Sequence, residues 1–456
     1  FCQRLLDDDL HGARLLSNNS KWISFPTLKT KNWHGRFRIS DRALRNLVLI
    51  GDAAHTAHFS IGSGTKLAME DAIALANAIE RHDDLEKALD EYEIERKPVV
   101  ETFQRAARES QAYFETLKRY LTLDPVPFAF QLLTRSGRIT YDDLHFRDAR
   151  FGDRVDRWMH GRASPGVAPP PMFAACELRS VCLRNRVVMS PASHDAREGV
   201  PGGQYLAQLA GCVEGGAGLV LADVCAVSPE GRVTPGDLGM YSEAQAKAWS
   251  EIVERVHGMG GARIGLQLGH AGRRGSTRPR SEGLDRPLKE GGWPLIAASP
   301  IPFTPTSQVP REMDLADMDR VRDDFVRAAR MAHDAGFDLL QLDFARGYLL
   351  ASFLSPLTNL RADEYGGRLE DRARYPLEVL AAVRAAWPQD KPLSVGVTAT
   401  DYLKGGMEVE EAIELARMLK EHGCDLVQVH AGQTTPDAEP PYARGFLTPL
   451  SDRIRN

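Results

Sequence analysis

From Phe173 onward, short apolar runs alternate with longer amphipathic ones. Nearly continuous apolar segments at Arg186–Met189, Gly218–Val224, Arg263–Leu268, Leu339–Phe344, Leu393–Ala399 and Leu426–Ala431 predict buried strands. Most are followed by stretches with apolar residues at helical spacing, as in Asp317–Ala335 and Val409–His422. Such alternation builds a parallel sheet, because each parallel neighbour needs a crossover connection. Six units exceed what a small doubly wound sheet normally uses and fit a (β/α)8 TIM barrel whose last two strands would lie beyond Asn456. An open sheet with helices on both faces is the alternative.

The first 122 residues read differently. Short strand-like runs, among them Leu47–Ile50, precede a helix from about Thr65 to Arg81 with Leu67, Ile73, Ala76 and Ile79 near helical spacing, and a longer charged helical stretch surrounds Pro98. Residues 123–172 contain Pro125 and Pro127, then Pro165 and Pro169 to Pro171, a density that predicts an extended linker without helix. The expected organisation is therefore an α/β domain over 1–122, a linker over 123–172 and a barrel over 173–456. Because the chain opens on Phe1 and closes in a polar stretch at Asn456, both ends are expected to lie inside domains.

Composition removes several functions. The 57 Lys and Arg are interspersed among 62 Asp and Glu, for a net charge of −5, so a nucleic-acid footprint is not expected. No apolar run approaches the roughly 20 residues of a membrane helix, and no signal segment opens the chain, which predicts a cytoplasmic protein without a membrane partner. Six cysteines without a CxxC pair predict reduced thiols and no structural metal.

Two stretches carry chemistry. In the first, the strand Leu47–Ile50 runs into Gly51-Asp52-Ala53-Ala54-His55, and Gly62-Ser63-Gly64-Thr65 opens the following helix. A carboxylate at a strand's C-terminal end can accept bonds from a polyol, and small residues let helix N-terminal N–H groups approach an anionic ligand. The stretch resembles the second FAD motif of aromatic-ring monooxygenases of the para-hydroxybenzoate hydroxylase type. Its His58-Phe59-Ser60-Ile61-Gly62-Ser63-Gly64-Thr65-Lys66 variant is similar to the subgroup acting on benzoyl-CoA derivatives. That resemblance implies Asp52 on the ribityl hydroxyls and Gly62, Ser63, Gly64 and Thr65 against the flavin ring. Trp22 to Pro26, Trp33 and His34 would stand beside flavin and substrate in that family, although core aromatics are the blander reading. A G-x-G-x-x-G fingerprint is absent, so the part of the FAD domain that cradles ADP is expected upstream of Phe1.

The second set sits at predicted strand ends, where barrel active sites gather. Gln267-Leu268-Gly269-His270-Ala271-Gly272-Arg273 follows one strand, and Asp343-Phe344-Ala345-Arg346-Gly347-Tyr348 runs on through Ser355-Pro356 to Gly366-Gly367-Arg368 after the next. Together these resemble the Old Yellow Enzyme and dienoyl-CoA reductase family. The resemblance implies FMN held by Gln267, Ala222, Ser190, Pro191 and Ser193, and a proton donated by Tyr348 after hydride transfer. The usual carbonyl-gripping pair is replaced by Asp343 and Arg346, which could instead pair with each other, and Gly396 stands where the family has an arginine near the flavin pyrimidine ring.

The order of parts resembles bifunctional 2-aminobenzoyl-CoA monooxygenase/reductases and salicylyl-CoA hydroxylases. This implies FAD-dependent hydroxylation of an aromatic acyl-CoA followed by FMN-dependent reduction of the conjugated product, with NAD(P)H as electron donor and a homo-oligomer as a possible assembly. Two alternatives are a hydroxylase whose barrel is a non-redox binding or oligomerisation module, and a reductase acting alone. Lys21, Lys29, Lys31 and Arg36 could meet CoA phosphates, with a solvated basic surface as the blander reading.

Overall fold

The computed structural model describes residues 10–14, 16, 28, 30–38, 44–160, 170–192, 196–283 and 285–455, and the chain divides into one unit ending at Val167 and another beginning at Ala168. In the first unit, β1 (His34–Arg38) pairs antiparallel with β2 (Leu44–Val48). Helix α1 (Gly64–Arg81) then packs on α2 (Leu85–Glu115), which runs through Pro98. The buried stripe of α1 is Leu67, Asp71, Ala74 and Ala78, whereas Ile73 and Ile79 are 60% and 49% exposed. Of the positions that apolar spacing pointed to, Leu67 is buried, but Ile73, Ala76 and Ile79 lie on the exposed face. The small alanines share their core with Trp33, Ala88, Tyr92 and Val100, and Asp71 belongs there because it is fully bonded.

The extended linker expected over 123–172 is corrected by three helices: α3 (Pro125–Thr134), α4 (Tyr141–Arg147) and α5 (Ala149–His160). Pro125 and Pro127 lie in the first turn of α3, where N–H groups have no intrahelical partner to lose. Thr140 and Asp143 close a capping box on α4. Of the second proline cluster, Pro165 and Pro169 lie outside the described residues, while Pro170 precedes and Pro171 opens a single 3-10 turn, Pro171–Phe173.

The second unit begins with a hairpin, β3 (Cys176–Leu178) and β4 (Val181–Leu183). Then follow β5 (Val188–Met189), α6 (Gly203–Glu214), β6 (Leu219–Ala226), α7 (Glu243–Gly258), β7 (Arg263–Gly269), β8 (Ile296–Ala297), β9 (Arg311–Glu312), α8 (Leu315–Asp334) and β10 (Leu339–Phe344). The chain continues through α9 (Leu349–Leu354), α10 (Leu369–Ala386), β11 (Leu393–Thr398), α11 (Val409–Glu421), β12 (Leu426–His430) and α12 (Thr448–Arg455). Strands β5, β6, β7, β10, β11 and β12 form one sheet in that order, all parallel. The order never reverses, as it must in a doubly wound sheet, and is consistent with a TIM-like half-barrel. Every residue of β10 and β11 is buried, which explains their largely apolar character, and the exceptions Gln341, Asp343, Ser394 and Thr398 lie at alternate positions.

Cys176, Cys182, Cys212, Cys225 and Cys424 are free thiols. Among the described residues no helix is long and apolar enough to cross a membrane.

Candidate active site

Alternate residues along neighbouring strands share a face. Register sets Gln267 of β7 beside Gln341 of β10, Asp343 of β10 beside Gly396 of β11, and Gly396 and Thr398 beside Gln428 and His430 of β12. The amides interlock: Gln341 Nε2 donates to Gln267 Oε1 at 2.9 Å and also to Gln428, while Ser394 Oγ donates to Gln341 Oε1 at 3.0 Å.

Strand β6 carries an irregularity between Leu221 and Val224, which displaces Ala222 from the ladder. Its carbonyl accepts instead from Gln267 Nε2 at 2.8 Å, and Gln267 Nε2 also donates to Ser190 Oγ at 3.2 Å. The Tyr205 hydroxyl donates to the Pro191 carbonyl at 3.3 Å and accepts from the Asp223 N–H at 2.7 Å. The structure thus brings Ser190, Pro191, Ala222 and Gln267 together, while Ser193 lies outside the described residues.

After β10 the chain turns sharply through Arg346 (φ 61°) and Gly347 (φ 67°) into Tyr348, the N-cap of α9. A Cβ at Gly347 would lie 2.8 Å from the Gln433 carbonyl, so only glycine permits this approach. Asp343 is 2% exposed; its Oδ1 accepts from the Ala345 N–H at 2.8 Å and its Oδ2 from Arg346 Nη1 at 2.6 Å. The Tyr348 hydroxyl makes no hydrogen bond among the described residues, and desolvation pushes it up to about 12, with Arg274 and Arg346 pulling the other way. Arg274 lies 5.8 Å from the Tyr348 ring centroid, held by Asp285 and the Arg346 carbonyl.

At the C-terminal end of the sheet, the imidazole of His430 fills the space beside Gly396, and burial brings His430 down to about 4. His430 Nε2 and Thr398 Oγ1 are buried without hydrogen-bond partners among the described residues. Orphaned polar atoms of this kind, one of them beside Gly396 with the Gln341 amide on the other side of that glycine, fit the polar edge of a flavin.

In the first unit, Gly51 (φ 55°) opens the 3-10 turn that follows β2, and a Cβ there would sit 2.9 Å from Ala68 Cβ. Asp52 is exposed in the turn that follows. Asp71 is fully buried and accepts from the Gly51 N–H (3.0 Å), His55 Nε2 (2.7 Å) and Arg96 Nε (2.9 Å). Burial pushes the Asp71 carboxyl up, and these donors outweigh it and hold it below its ordinary value. Trp33 is a core aromatic, 5.0 Å from the His55 ring, and His34 pairs with Asp90 at 3.1 Å. Trp22 to Pro26, Lys21 and Lys29 lie outside the described residues, while Lys31 and Arg36 are exposed. At the start of α1 the Ser63 hydroxyl is buried without a partner, and a Cβ on Gly62 or Gly64 would meet nothing within 4 Å. An open helix N-terminus with an orphaned hydroxyl fits an electron-rich ring edge such as that of FAD.

Asp71, His55, Arg96, Gln341, Gln428 and His430 were not singled out from the sequence. Polar residues two apart inside apolar strands, Gln341 and Asp343 or Gln428 and His430, were the available signal. His145, Asp153 and Asp156 place possible ligand atoms within 4.8 Å, but His145 and Asp156 bond each other at 2.9 Å and Tyr141 donates to Asp156 at 2.7 Å.

A profile of the NADH:flavin oxidoreductase / NADH oxidase family matches residues 171–447, and a profile of an FAD binding domain matches residues 8–107. An NADPH dehydrogenase of Listeria innocua is 36% identical over 287 residues, which cover 62% of this chain and 80% of that protein. An NADPH dehydrogenase of Geobacillus sp. is also 36% identical over 287 residues, covering 62% and 79%. Among solved structures, a 2-naphthoyl-CoA reductase in complex with 2-naphthoyl-CoA aligns with a TM-score of 0.55 at 25% identity, over 62% of this chain and 44% of that one. An old yellow enzyme homologue from Zymomonas mobilis aligns with a TM-score of 0.51 at 28% identity, over 63% and 79%. The chain therefore spans about four-fifths of the NADPH dehydrogenases and less than half of the 2-naphthoyl-CoA reductase.

Proposed function

Since the chain belongs to the NADH:flavin oxidoreductase / NADH oxidase family and also carries an FAD-binding domain, it is a flavin-dependent oxidoreductase served by FAD, FMN and NAD(P)H, and on that premise we propose that it acts on an aromatic acyl-CoA at two sites. The N-terminal unit hydroxylates the ring with dioxygen, one atom entering the ring and the other leaving as water at the expense of NAD(P)H, and the C-terminal unit reduces the resulting conjugated carbonyl compound with a second NAD(P)H. Likeness to a 2-naphthoyl-CoA reductase supports the thioester class.

The observation that carries the reductive half is the unpartnered Tyr348 phenol, two residues beyond the Asp343–Arg346 ion pair. FMN would supply the hydride. Tyr348, pushed up to about 12, stays protonated at neutral pH and delivers its proton to the carbon next to the carbonyl. Arg346 polarises the carbonyl oxygen with the donors that Asp343 leaves free, and Asp343 anchors the guanidinium. Gln267, oriented by Ala222, Ser190 and Gln341, holds the flavin's pyrimidine edge together with Pro191 and Ser193. In the first unit, Asp52 takes the ribityl hydroxyls, and Gly62, Ser63, Gly64 and Thr65 lie along the ring. Asp71, His55 and Arg96 hold the Gly51 turn that presents Asp52.

Flavin released from the denatured full-length protein and separated by chromatography tests the proposal. One FAD and one FMN per chain, with NADPH consumption that rises on adding a conjugated aryl-CoA, is the expected result. FAD without FMN would favour a second reading, a hydroxylase with a non-redox barrel, which Asp343 at a carbonyl-gripping position makes specific.

A further inference from the structure

The polar ladder on the sheet face is satisfied along most of its length and stops being satisfied at its C-terminal end. Gln267, Gln341, Ser394 and Gln428 bond one another. One step further along, Thr398 and His430 are register partners, and their Oγ1 and Nε2 atoms are both buried and unpartnered among the described residues. Buried polar atoms are normally bonded, so two adjacent orphans mark a place where a ligand completes the set.

Gly396 explains how His430 reaches that place. A Cβ at Gly396 would lie 3.3 Å from His430 Nε2 and 3.4 Å from Gln341 Nε2, and so would crowd the imidazole. Any longer side chain would need the volume the ring occupies. The absence of a side chain on β11 and the histidine on β12 are thus one arrangement.

We infer that His430, aided by Thr398, is the residue that meets the pyrimidine edge of FMN, entering from β12 across the gap left by Gly396. This rests on the proposal that the second unit binds FMN. Burial, followed by the charge of Arg346, lowers His430 to about 4, so the imidazole is neutral at physiological pH and offers an N–H donor without a full charge. A neutral donor stabilises negative charge on the reduced ring less than a guanidinium would, which makes the bound cofactor a stronger reductant than a cation at Gly396 would allow.

The test uses the full-length protein, stripped of FMN and titrated with it, with the reduction potential of the bound FMN followed spectroscopically. His430→Phe keeps the ring and removes the donor; its FMN dissociation constant should rise roughly 2- to 10-fold, as for loss of one hydrogen bond. The double variant Gly396→Arg/His430→Ala should bind FMN with a higher potential than wild type, while Gly396→Arg alone should bind it more weakly than the double variant. Unchanged affinity and potential in His430→Phe, with FMN bound, would overturn the role of His430 and leave the FMN site standing. A wild-type protein that takes up no FMN would overturn the underlying proposal itself.

Discussion

Arg346 donates from Nη1 to Asp343 Oδ2 at 2.6 Å while its own backbone stands in the left-handed region at φ 61°. The ion pair thus accompanies a conformation that costs a residue other than glycine roughly 1–2 kcal/mol. Arg346→Ala loses the pair and keeps the strain, whereas Arg346→Gly loses both. In denaturant unfolding the glycine variant should be more stable than the alanine variant by about 1 kcal/mol. Both should turn over a conjugated carbonyl substrate on the order of 10²-fold more slowly. Equal unfolding midpoints would show the turn to be unstrained.

Tyr348→Phe should retain FMN and lower product formation on the order of 10²- to 10⁴-fold, because it removes the proton and little else. The folded-state value of about 12 lies above the ordinary 10.0, so this group contributes stability below pH 10 that is lost as pH climbs toward 12. Alkaline unfolding of the phenylalanine variant should lack that part of the decline.

His270 is 3% exposed, its Nδ1 accepts the Gly272 N–H at 3.1 Å, and burial lowers it from 6.5 to about 4. The folded state resists protonation that the unfolded chain accepts, so stability is present above pH 6.5 and falls as pH drops toward 4, by up to about 3 kcal/mol. His270→Asn should show a shallower acid decline in stability measured at stepped pH, and an identical slope would refute the assignment.

Asp71→Ala should destabilise the N-terminal unit by about 3 kcal/mol, since it breaks the buried pair with Arg96, which is 7% exposed and keeps only Glu70 at 3.0 Å, and frees the Gly51 N–H. Its thermal transition should drop and bound FAD should fall with it. Retained FAD at an unchanged transition would detach this network from the cofactor site.

Much of this organisation was legible in the chain alone. The strands β10, β11 and β12 were predicted nearly to the residue, because largely apolar runs of five to seven residues mark strands of a parallel sheet, fully buried in β10 and β11 and partly buried in β12. Gly347 after β10 was legible for a related reason: a backbone turn at positive φ depends on one residue type at one place.

Other features were decided by what lies far away in sequence. The buried face of α1 was misread because burial of Asp71 depends on Arg96, 25 residues on, and hydropathy counts a carboxylate as exposed whatever its partners. The helix α3 was missed because proline was weighed by number and not by position in the first turn. Gly396 read as a lost arginine, since nothing in the sequence of β11 reveals that a histidine from β12 fills its space. Local periodicity determined the elements and their order; the pairing of strands, which joins residues dozens of positions apart, determined which polar atoms meet and which are buried without a partner.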